Sequence, residues 1–294
     1  MTARLLDCSP DEYHRLPGFS SSLAKILIGR SASHARDTFV RKAEGDAEED
    51  LTDDQVQRRE RGTVLHALVL GKGKRIEVLP YDKYATNEAR AARDAARAAG
   101  RVPVKASKME IHERTAIAIK SRIASAGHDL DGVSELGIAW QEPSPHGPVD
   151  CRAMLDHVTM WGLEEDSPHV PGACIYDVKI VDDAEPRLNE RTSERLLYGI
   201  QAAAYTRALA ALHPRLAGRI GFRFLFCEHK RPYEIWDPRP DGAFSELGAR
   251  RWISAVHAWS RGQAESKWPG YLEPGASISV PTWKLREEGI PADG

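Results

Sequence analysis

The chain has 294 residues, of which 41% are hydrophobic and 29% charged, enough to bury a core and ordinary for a globular protein. A formal net charge of −2 argues against a protein that coats nucleic acid through a global positive field, but leaves room for a local basic channel among carboxylates. Leu5-Leu6 is too short for the apolar centre of a signal peptide, and no run reaches membrane-spanning length, so a cytoplasmic protein without membrane contact is expected.

In chain order, Ser20, Ser21 and Ser22 offer N-caps for a helix over 23–28 that Gly29 can end. Residues 41–60 are charge-dense and almost free of apolar side chains, which predicts a mobile surface loop. A compact apolar helix over 62–70 carries His66, and an Ala/Arg-rich helix is predicted over 88–101. Arg90, Arg93, Arg97 and Arg101 share a face of the latter. With Lys105 and Lys108 they serve either as a solvated face or as phosphate contacts. A helix over 110–126 closes at Gly127.

Strands follow over 135–141, 149–161 and 173–181, joined by Pro/Gly-rich segments. A long helix is expected over 193–212, then a strand over 219–227 with Ile220, Phe222, Phe224 and Phe226 on one face. Glu234-Ile235-Trp236 is placed to pair with it. A last helix runs from about 244 to 262. The expectation is an α/β fold in a single domain over 1–294: an N-terminal helical and loop extension over 1–60, a core over 61–262 and an irregular tail over 263–294. Cys8, Cys151, Cys174 and Cys227 form no CxxC pair, so no zinc ribbon or iron–sulfur cluster is expected, and Cys151 and Cys174 read as buried free thiols.

The chemistry concentrates between residues 151 and 180. Two apolar strand-like runs each carry one carboxylate, Asp156 and Asp177, and the second adds Lys179. On a strand Asp177 and Lys179 share a face, while Cys174, Tyr176, Val178 and Ile180 take the other. Charges inside an apolar strand are costly unless a metal, a partner charge or a reacting phosphate satisfies them. Phosphodiester hydrolysis needs an activated water and relief of negative charge, which Mg²⁺ or Mn²⁺ held by carboxylates supplies, with a lysine at the water. Asp156, Asp177 and the Val178 carbonyl are the candidate ligands. The alternative is a surface ion pair on an edge strand.

The order His66, Asp156, Asp177-x-Lys179, Gln201-x-x-x-Tyr205 resembles the RecB-like branch of the PD-(D/E)XK nuclease superfamily, and within it the RecE-type exonucleases of phage and prophage recombination. The matching elements are Gly62-Thr63-Val64-Leu65-His66, then Cys151-Arg152-Ala153-Met154-Leu155-Asp156, the Asp-x-Lys strand and the Gln-x-x-x-Tyr helix. They cover roughly residues 60–230. Leu155 stands where the family usually has Pro, and Ile180 where it often has Thr.

The resemblance implies a restriction-endonuclease-like core, a central mixed β-sheet flanked by helices. It also implies His66 and Glu135 at the metal, Asp156 and Asp177 as ligands, Lys179 at the water, and Gln201 and Tyr205 as catalytic support. It implies Mg²⁺- or Mn²⁺-dependent degradation of double-stranded DNA ends, 5′ to 3′, for a single-strand annealing protein, by an enzyme that often forms homo-oligomers. A structure-specific endonuclease, a helicase-associated repair nuclease and a catalytically silent DNA-binding protein of the same fold stay open as alternatives.

Overall fold

The computed structural model describes residues 3–44, 52–160, 172–272 and 278–291. Its strands are β1 (Ala3–Leu6), β2 (Ile76–Leu79), β3 (Val102–Lys105), β4 (Val133–Glu142), β5 (Val149–Met160), β6 (Ala173–Val181), β7 (Ile220–Glu228) and β8 (Ile235–Trp236). Its helices are α1 (Pro10–Arg15), α2 (Ser21–Gly29), α3 (Ala32–Glu44), α4 (Asp53–Leu70), α5 (Asn87–Ala98), α6 (Ala106–Ser125), α7 (Pro186–Arg195), α8 (Tyr198–Leu212), α9 (Gly242–Glu265) and α10 (Thr282–Glu287). Six strands form one mixed sheet in the order β1-β4-β5-β6-β7-β8, and β2 and β3 form a separate parallel pair.

Only β6 and β7 run parallel within the large sheet, so the chain needs a crossover between them, and α7 and α8 supply it. Side-chain alternation on β6 then decides the layers. Ala173 and Ile175 enter the main core with Leu23, Ile200, Trp252 and Trp259 of α2, α8 and α9. Cys174, Tyr176 and Val178 face a second core with Val69 of α4 and Ile119 and Ile123 of α6. The sheet is therefore the middle of three layers, as expected of an α/β fold.

A fully buried carboxylate anchors α8. Glu142 accepts from Trp140 Nε1 at 2.9 Å and Trp252 Nε1 at 3.3 Å, and takes a two-pronged ion pair from Arg207 at 2.7 and 2.5 Å. All four cysteines are free, and Cys151, Cys174 and Cys227 are buried. No helix among the described residues is long and apolar enough to cross a membrane.

Three sequence expectations need correction. Of the loop expected over 41–60, residues 41–44 are the last turn of α3 and 53–60 are the first turns of α4. Thr52 and Gln55 form a capping box, Asp53 and Asp54 sit where the helix dipole favours them, and Arg58 pairs with Asp54 at 3.1 Å. Local polar contacts thus build a helix that needs no apolar stripe; residues 45–51 lie outside the described set. The single helix expected over 193–212 is two, because Leu197 takes a left-handed conformation (φ 53°, ψ 44°) and the chain restarts at Tyr198. One left-handed residue leaves no trace in a hydrophobic period. Within the tail expected to be irregular, 282–287 is the short helix α10.

Helices α8 and α9 touch through glycines: a Cβ on Gly248 would overlap the carbonyl of Gly199. Gly248→Ala should therefore destabilise the protein by about 1–3 kcal/mol through overpacking, although Ala is the better helix former. A lower urea midpoint at unchanged slope is the expected result. A raised midpoint would contradict this contact.

Candidate active site

Strands β5 and β6 pair only from His157↔Tyr176 to Met160↔Ala173. Asp156 and Asp177 are the next residue of each strand, so they stand where the two strands part. The neighbouring ladder of β4 and β5 is interrupted at the same level: Ser134↔His157 and Leu136↔Leu155 pair, but Glu135 and Asp156 between them do not. Glu135 sits at φ 52°, a strained conformation for a residue with a side chain. Alternation also slips here, since Leu155 and Val158 both belong to the main core.

Into this gap Asp156 turns one oxygen, Oδ2, which accepts the Val178 N–H at 2.9 Å and lies 3.0 Å from His66 Nε2. A strand residue turns its N–H and C=O toward the same neighbour, so the Val178 carbonyl opens on the same gap. His66 Nδ1 is 3.5 Å from Glu135 Oε1. Helix α4 delivers His66 by burying Val64, Leu65 and Val69 on either side of it.

Asp177 has 0% exposure and lies on a central strand, which removes the edge-strand alternative. Gln201 Nε2 donates to its Oδ1 at 2.5 Å. Lys179 Nζ is 2.5 Å from its Oδ2, yet that oxygen has no hydrogen bond of acceptable direction. Tyr205, one turn along α8, is buried and interacts with Gln201.

Burial dominates the electrostatics. It pushes Glu135 up to about 7 against the pull of His66, and it raises Asp177, with Asp156 adding to the shift and Lys179 opposing it. Burial also opposes the charged forms of Asp156 and His66, but their mutual attraction outweighs it, so Asp156 is lowered and His66 raised. Lys179 is likewise held up by Asp177 and Asp156 against burial. Burial thus holds two of the three carboxylates, Glu135 and Asp177, toward their neutral forms, a condition that a bound divalent cation would reverse.

Among the described residues no three His, Cys, Asp or Glu side chains already converge as metal ligands do. Asp156 is taken up by His66 and Val178, and Asp177 by Gln201 and Lys179. By chemistry the residues nonetheless fit Mg²⁺ or Mn²⁺: hard carboxylate and carbonyl oxygens meet at one gap, and one buried oxygen of Asp177 lacks a hydrogen bond.

Beside the centre, past Ile180, lies a cleft of about 350 Å³ lined by Arg58 and Arg61 of α4, Asn189 and Thr192 of α7, and His229. The arginines of α5 lie elsewhere and have partners within the chain, Asn87 for Arg90, Asp94 for Arg93 and Glu60 for Arg97; the helix ends at Ala98, before Gly100 at φ 72°, so Arg101 does not share their face and instead pairs with Glu77 of β2. Arg152 donates to the Tyr13 carbonyl at 2.8 Å and covers the Tyr13 ring, holding α1 to the sheet.

Two residues at the centre escaped the sequence reading. Lys25 Nζ of α2 donates to Gln201 Oε1 at 2.8 Å, and both Lys25 and Lys179 lie 4.9 Å from the Tyr198 ring centroid. The signal for Lys25 was present as a lone lysine inside Leu23-Ala24-Lys25-Ile26-Leu27-Ile28.

Because the folded protein holds a proton on Glu135 up to about pH 7 and the unfolded chain releases it near 4.5, this group lowers stability as pH rises between those values. In chelator-treated, metal-free buffer, Glu135→Gln should raise stability by about 1–3 kcal/mol at pH 8 and change it little at pH 4. Denaturant unfolding at both pH values measures this. An equal effect at both would contradict the shift.

No family model matches the chain, and no curated protein matches it in sequence. Among solved structures, it is similar to the crystal structure of a protein from Eubacterium rectale named "putative exonuclease", at 11% sequence identity and a TM-score of 0.51 over 95% of each chain. What this likeness shows is the fold, the mixed sheet flanked by helices on which the centre is built.

Proposed function

We propose that the protein is a metal-dependent nuclease that hydrolyses DNA from duplex ends. The observation that carries this reading is Asp177, fully buried on a central strand with Lys179 on its Oδ2, facing the gap that also receives Asp156, Glu135 and His66. Buried carboxylates with shifted titration beside a lysine and a histidine are the pattern of a site that does chemistry. The likeness to the Eubacterium rectale protein agrees with a nuclease. Exonuclease action from 5′ to 3′, a role in phage-type recombination with an annealing protein, and assembly into a homo-oligomer rest on the resemblance to RecE-type enzymes.

In this reading Asp156, Asp177, Glu135, His66 and the Val178 carbonyl hold Mg²⁺ or Mn²⁺. When bound, the cation offsets charge on the phosphate under attack. Lys179, held in its protonated form by Asp177 and Asp156, orients the attacking water and donates to phosphate oxygens. Gln201 fixes the Asp177 carboxylate, and Tyr205 fixes Gln201. The cleft with Arg58, Arg61 and His229 takes the strand beyond the scissile phosphate.

Digestion of a linear, end-labelled duplex beside closed circular DNA tests this. The wild type should release the 5′ label from the linear form alone and only with Mg²⁺. Lys179→Ala and Asp177→Ala should each lose roughly 10²–10³-fold or more. Cutting of the circle would make it an endonuclease. No digestion, or variants as active as the wild type, would leave only a binding protein.

A further inference from the structure

We propose that Lys25 is a positioning residue of this centre, acting on Asp177 through the side-chain amide of Gln201; the inference rests on the hydrolytic reading above. An ammonium only donates and a carboxylate only accepts, so an amide held between them has a single orientation. Lys25 Nζ donates to Gln201 Oε1 at 2.8 Å, and Gln201 Nε2 donates to Asp177 Oδ1 at 2.5 Å. This relay joins α2, α8 and β6. It commits Oδ1 of Asp177 to the amide and leaves Oδ2, the oxygen without a hydrogen bond, toward Lys179.

The placement of Lys25 is costly. Leu23 and Ala24 beside it are buried in the main core, and a second ammonium, Lys179, shares the Tyr198 ring with it. Burial and Lys179 together push the Lys25 ammonium down to about 7, while Asp177 and Asp156 pull it back. A methionine would fill the same space without that cost. What the lysine adds is charge, felt by Asp177 and Asp156, and a directed proton, given to the amide that touches Asp177. Hydrogen bonds of this kind orient the groups that do chemistry, and removing them commonly costs 10- to 100-fold in activity.

The test uses the full chain with Mg²⁺ and a linear duplex. Lys25→Met keeps the length of the side chain and removes its charge, and Lys25→Arg keeps the charge. Lys25→Met should lower kcat roughly 10- to 100-fold with KM changed by no more than about twofold, and Lys25→Arg should recover part of the loss. The double variant Lys25→Met/Gln201→Ala should lose no more than the worse single variant, because both remove one link. Thermal unfolding checks each variant; if Lys25→Met does not fold, Lys25→Gln takes its place in the same cycle. Full activity of the charge-removing variant, or losses that multiply in the double variant, would overturn the role of Lys25. A wild type without metal-dependent digestion would instead defeat the hydrolytic reading, and this inference with it.

Discussion

A carboxylate with no access to solvent, Asp177, sits in the middle of the central strand, and the elements around it are arranged to satisfy it. An unpaired buried carboxylate is among the most expensive features a fold can carry. Here Lys179 comes from the same strand, Gln201 from α8, and Lys25 from α2 through Gln201. The break at Leu197 restarts the crossover so that Tyr198 and Gln201 reach this point, and Glu142 with Arg207 and the two tryptophans holds α8 in place. Stability and site geometry therefore depend on the same contacts.

The second constraint is backbone geometry. β5 joins β6 only from His157 onward, and the ladder with β4 lapses at Glu135, whose φ of 52° is strained. Continued pairing would have given Asp156 an ordinary place on one face of the sheet. The interruption instead lets it reach His66 of the α4 layer and the Val178 N–H at once. Burial, with Asp156 adding to it, raises Glu135 and Asp177, and buried carboxylates held this way are the electrostatic ground for a cation there.

Much of this was legible in the sequence. The strand expected over 173–181 is β6, Ala173–Val181, because a short, largely apolar run with period-two charges, bounded by Gly172 and Asp182, has few other ways to fold. The opposed faces of Asp177/Lys179 and Tyr176/Val178 followed from period-two geometry alone. Less legible were features that depend on one residue's conformation or on contacts between distant segments. The left-handed Leu197 and the slip at Asp156 have no periodic signature. β1, only four residues long, gains its place by pairing with β4 at the sheet edge. Lys25 lies 176 positions from Gln201, so nothing local tied it to the centre. The arginine stripe displays the same limit: Arg90, Arg93 and Arg97 share α5, but the helix stops at Ala98 before Arg101, and two of the carboxylates that meet these arginines, Glu60 and Glu77, come from the distant α4 and β2.

The most direct test of the central claim, that the buried carboxylates form a cation-holding centre, is calorimetric titration of Mn²⁺ into the protein without nucleic acid, beside Asp177→Asn. Saturable binding by the wild type, weakened at least ~10-fold in a variant whose circular dichroism is unchanged, is the predicted result. No saturable binding by the wild type, or equal affinity in the variant, would contradict it.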